Sequence, residues 1–108
     1  MTLIFYEVEE QTYKKSYSKK LNPKSITRLH KKICKKFGIE TKLKFNNKTL
    51  GYYDTELNEI GLPENATLGV LIHEIAHAYE HKKFGITYHK GRLFQIINEI
   101  NIQVEGMV

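Results

Sequence analysis

The sequence predicts an α+β domain: a small mixed β-sheet with a basic amphipathic helix, a helix carrying a His-Glu-x-x-His run, and a C-terminal helix. Two observations predict it. Apolar residues recur at spacings of three and four in three stretches, each bounded by Asn-Pro or Gly signals. Between the first and second of these stretches lie short alternating runs that fit half-buried strands.

Residues 2–8 are rich in β-formers and read as a first strand. The polar stretch from Gln11 to Lys20 is a connection, with Tyr13 and Tyr17 available to pack on the body. Asn22-Pro23 opens a helix, since Asn caps well and Pro is tolerated at the first helical position. Ile26, Leu29, Ile33 and Phe37 then form one apolar stripe, which His30 and Cys34 flank, and Gly38 supplies the stop. Leu43 and Phe45 alternate with Lys42 and Lys44, so residues 41–45 read as a strand, followed by an Asn46-Asn47 turn. Residues 50–54 and 58–62 read as two further strands joined through Thr55-Glu56-Leu57, and Pro63 closes the sheet segment. A second helix starts near Ala66 or Thr67 and runs to about Phe84, where Gly85 ends it. Its apolar surface comes from Leu68, Leu71, Ile72, Ile75, Ala76 and Tyr79. After a loop over 86–89, a third helix over 91–103 carries Phe94, Ile97 and Ile100 on one side.

With 108 residues the chain suffices for one domain (1–108) and not for two. A core of that size is modest, so a bound metal would add to stability. Apolar content of 41% and charged content of 27% are ordinary for a soluble globular protein. No run of 18 apolar residues predicts a membrane span. The N-terminus turns acidic at Glu7 before a signal-peptide core could form, and Cys34 alone can form no intramolecular disulfide or four-cysteine zinc site. A cytoplasmic location is the expectation that follows.

The net charge of +5 is unevenly spread. No acid lies between Glu10 and Glu40, where ten bases occur; from Glu40 onward nine acids outnumber seven bases. Lys24, Arg28, Lys31, Lys32, Lys35 and Lys36 fall off the apolar stripe of the first helix. They form a solvated face or, in a second reading, a weak contact for nucleic acid.

The chemistry lies in His73-Glu74-Ile75-Ala76-His77. Residues four apart stand one above the other on a helix, so the two imidazoles can converge on one Zn²⁺ at about 2.0–2.1 Å each. Glu74, one step round, flanks the ion where a base can take a proton from water. Shuffling this chain's five His and eleven Glu gives such a run in roughly 2 of 100 cases. The run also sits in an apolar helix, where polar side chains are costly to bury without partners. A catalytic zinc usually has three protein ligands. His89, past the Gly85 stop, is the favoured third, and Glu99 on the next helix is its rival. His81 continues the four-residue spacing but lies about 6 Å further along the axis, at the surface or behind the ligands. His30 has no such context. Tyr52, Tyr53 and Tyr88 are candidates to donate to an oxyanion, or simply pack.

The stretch 51–62, followed by Leu71 to Tyr79, resembles the SprT-like zinc metallopeptidases. His89, Gly91 and Phe94 look like that family's His-Gly-aromatic element, although Lys90 separates His89 from Gly91. In size the chain also resembles the minigluzincins. The resemblance implies a zincin-like fold over roughly residues 22–104, zinc as cofactor, a protein or peptide substrate, and a minimal scaffold held latent by its own tail (residues 104–108) or by self-association.

Peptide hydrolysis with Glu74 as general base and acid is the leading expectation, with residues 58–62 offering a strand edge to the substrate. The alternative is a non-catalytic or vestigial zinc module, docking on nucleic acid through its basic helix.

Overall fold

The computed structural model describes residues 20–46, 51–85 and 90–105, without the side chains of Lys90 and Glu105. The strand expected over 2–8, Tyr13, Tyr17, Asn47, Leu50, the loop 86–89 with Tyr88 and His89, and residues 106–108 lie outside the described residues. Among those described, the chain is α+β, with three helices and one three-stranded mixed sheet.

Helix α1 (Pro23–Phe37) begins and ends where its punctuation requires. Asn22 is extended, and its Oδ1 accepts from Ser25 N–H at 2.8 Å, a cap whose loss typically costs about 1 kcal/mol. Gly38 takes the left-handed conformation (φ 69°), and its carbonyl accepts from Lys82 Nζ at 2.8 Å. Ile26, Leu29 and Ile33 are buried, while all six basic residues of the helix are exposed.

Strands β1 (Lys42–Phe45), β2 (Tyr52–Asp54) and β3 (Glu59–Leu62) pair in the order β1-β3-β2. β3 runs parallel to β1 and antiparallel to β2. The register aligns Leu43, Ile60 and Tyr53 across the helix-facing side and Lys42, Glu59 and Asp54 across the other. The turn between β2 and β3 is built by side chains. Asp54 Oδ1 accepts from the N–H groups of Glu56 and Leu57. Asn58 takes positive φ (52°), and its Nδ2 donates to Glu40 O, tying the turn to the start of β1.

One expectation fails here. Residues 58–62 cannot offer an edge to a substrate, because β3 is the middle strand and is paired on both sides. The free edges of this sheet, among the described residues, belong to β1 and β2.

Helix α2 (Leu68–Phe84) is capped by Thr67, whose Oγ1 accepts from Val70 N–H, and stopped by Gly85 (φ 77°). It is buried nearly all round, as a helix without a polar face must be. The sheet, α1 and α3 all pack against it. Ile60, Leu62, Leu71, Ile72 and Ile75 are wholly buried around it, each burial contributing about 1.5–3 kcal/mol. Phe37 meets Tyr79 edge-on, with ring centroids 5.7 Å apart.

Helix α3 (Lys90–Glu105) starts one residue earlier and ends two later than its periodicity suggests. Its buried stripe is Leu93, Ile96, Ile97, Ile100 and Val104, so Phe94 is only half-buried. Val104, expected in the tail, is a core residue of this helix. No helix among the described residues is long and apolar enough to cross a membrane.

Candidate metal centre on helix α2

His73, Glu74 and His77 fall in the middle of α2 and are respectively 1%, 2% and 5% exposed. The two imidazoles face each other with Nε2 atoms 3.0 Å apart and rings inclined at 72°. In a metal-free chain, that distance suits one ring donating to the other. It also suits a shared ion: two nitrogens 3.0 Å apart and each about 2.0–2.1 Å from one zinc subtend about 90–100° there, and about 0.3 Å more separation gives the tetrahedral angle.

The protonation state also fits. Burial, and then the neighbouring His73, push the His77 pKa down to about 3, so its ring is neutral at ordinary pH. Neutral imidazole is the form that ligates a metal.

Glu74 is brought against the start of β2. A Cβ on Gly51 would stand 3.3 Å from Glu74 Oε2 and only 2.8 Å from Val70 Cγ1. Gly51 also has φ 139°, where a side chain is strained. The chain entering β2 therefore crosses Glu74 closely because this residue is glycine. Sequence reasoning includes Gly51 in a strand but assigns it no role. The signal was available, since isolated Gly at a strand marks close backbone approach.

The remaining candidates are placed as follows. His89 lies outside the described residues. Glu99 is exposed on α3, and no three His, Cys, Asp or Glu side chains gather as a ligand set among the described residues, so the rival third ligand is not brought to the pair. His81 is half-buried, with its ring tilted against Tyr53 at 6.0 Å. The tyrosine hydroxyls on β2 are engaged within the sheet. Tyr52 donates to Glu59 Oε2 at 2.8 Å, and Tyr53 donates to Asn58 Oδ1 at 2.9 Å. His30 is buried on α1, its Nε2 2.6 Å from Thr41 Oγ1, and its pKa is lowered by burial.

Sequence reasoning missed Glu80, a wholly buried carboxylate on the same helix. It stands seven residues after His73 in an apolar run, and that spacing on one face was the readable signal.

The chain matches no family model, no curated protein and no solved structure, so its own residues carry the functional reading.

Proposed function

We propose that the protein is a zinc-dependent metallopeptidase of zincin-like architecture in which His73 and His77 hold the ion and Glu74 is the general base and acid. The observation that carries this reading is the pair of buried Nε2 atoms 3.0 Å apart with Glu74 on the adjoining position of the same helix. A third ligand from beyond α2 would complete the set; His89 is the residue proposed.

Bound there, zinc would supply a Lewis acid that acidifies a water and polarises a scissile carbonyl. Glu74 would take the proton of the attacking water and hand it to the leaving amine. Among the described residues β2 is an edge strand beside that carboxylate, and Gly51 lets backbone approach it, so an extended peptide pairing along β2 would bring its carbonyl to the base. The burial of all three motif residues supports a latent form, because a substrate reaches them only after a covering element moves.

Glu74→Gln should retain zinc and lose cleavage of a casein-like substrate; cleavage at the wild-type rate would remove this mechanism. Latency held by association predicts activity per chain that rises on dilution.

The exposed bases of α1 favour one second reading, a zinc module that docks on nucleic acid. Phosphate contacts of that kind weaken steeply with salt, so stoichiometric zinc without cleavage at any dilution, plus salt-sensitive DNA binding, would select it.

A further inference from the structure

Glu80 is wholly buried on α2. Its Oε2 meets Arg92 Nε, from the first turn of α3, at 3.3 Å. Its Oε1 is also shut away from water and has no partner among the described residues. Arg92 lays its guanidinium over the Phe84 ring, 3.7 Å from the centroid. A staple between α2 and α3 accounts for Arg92 and Phe84. It does not account for a carboxylate, since apolar side chains staple two helices at least as well as a buried ion pair. It leaves the second oxygen dry unless the guanidinium closes its fork on both oxygens, and a buried acceptor left without a donor is destabilising.

Helix periodicity offers that oxygen another donor. Glu80 follows His77 by three residues and His73 by seven, which puts all three on one stripe of the helix. Helical side chains lean toward the N-terminus, so the Glu80 carboxylate hangs over the turn that carries His77. His77 turns Nε2 toward His73, and its other ring nitrogen, Nδ1, is buried as well. An imidazole that gives its Nε2 lone pair to a cation carries its proton on Nδ1, and a carboxylate is the usual acceptor for that proton.

We propose that Glu80 is the positioning residue of the metal site: in the zinc-loaded chain Oε1 accepts the Nδ1–H of His77 through one water, while Arg92 holds Oε2. The hydrogen bond fixes the His77 tautomer and ring angle, so that Nε2 is presented to the ion. This inference rests on the metal-site reading given above.

Zinc affinity, by competition with a chelator, and the His77 Nδ1–H resonance of ¹⁵N-histidine-labelled, zinc-loaded protein test it together. Glu80→Gln is expected to weaken zinc binding about 10–100-fold and to move the His77 proton upfield, with the His73 resonances nearly unchanged. The double variant Glu80→Leu/Arg92→Leu replaces the staple with apolar contacts. It is expected to keep or raise the melting temperature and still show the loss of zinc affinity, which a purely structural role would not produce. Should the double variant not fold, Glu80→Gln decides on affinity and resonance alone. Wild-type zinc affinity and an unmoved Nδ1–H resonance in Glu80→Gln would overturn this inference by itself. A wild-type chain that takes up no zinc would overturn the metal-site reading, and this inference with it.

Discussion

Helix α1 buries one histidine and helix α2 two, and the two helices serve them in different ways. On α1 the ring of His30 has a short local partner, Thr41 Oγ1 at 2.6 Å, and every charge on the helix is out in solvent. On α2 four polar side chains, His73, Glu74, His77 and Glu80, are buried in one apolar run. Two of them face each other through atoms that are both natural metal ligands. A buried polar group with one neutral partner stabilises a joint between elements. A row of buried chelating and carboxylate groups carries a desolvation cost that a joint does not require, and a bound cation offsets it. On the proposed reading, the first helix serves attachment and the second a ligand.

If that contrast holds, changes on α2 abolish chemistry and changes around α1 alter stability alone. The largest expected effect is on cleavage by Glu74→Gln: kcat should fall about 10²–10⁴-fold with zinc content unchanged, measured on a peptide substrate beside metal analysis. Gly51→Ala comes next. Its Cβ would stand 2.8 Å from Val70 Cγ1 in a backbone conformation unfavourable to alanine, so the start of β2 must lift from Glu74. A stability loss of about 1–3 kcal/mol in urea unfolding, with a drop in kcat larger than any change in KM, is the expected pattern.

Smaller effects are expected at the α1 joint. Thr41→Val leaves a buried imidazole without its hydroxyl partner and should cost about 1–3 kcal/mol while leaving zinc affinity as it was. A change in zinc affinity there would blur the contrast between the two helices. The pH dependence is smaller again. Burial lowers the His30 pKa from its ordinary 6.5, so the unfolded chain takes up this proton more readily than the folded one. Its share of stability is complete above about pH 6.5 and is lost as pH falls toward the depressed folded value. Urea midpoints of metal-free protein at pH 8 and pH 5 should therefore converge somewhat in His30→Gln relative to wild type.

The sequence made some of this molecule legible and hid the rest for physical reasons. Asn22-Pro23 and Gly38 bound α1 closely because caps act through the local backbone. The same holds for Thr67 and Gly85 around α2. The His73-Glu74-His77 spacing was readable because helix geometry alone places those residues. Strand order was not: nothing within residues 59–62 says that they pair with both neighbours, since that pairing is set by contacts distant in sequence. The buried stripe of α3 was misjudged around Phe94 because Leu93, Phe94, Ile96 and Ile97 are nearly continuous, and packing on α2 chooses among them. Glu80 escaped because its partner, Arg92, arrives from another helix.

The central claim is that His73 and His77 form one metal site, and a zinc titration tests it most directly. Calorimetry of the metal-free chain should show one zinc per chain, with binding weakened at least about 100-fold in both His73→Ala and His77→Ala. A wild-type chain that takes up no zinc, or a His77→Ala chain that binds it as tightly as wild type, would contradict the account.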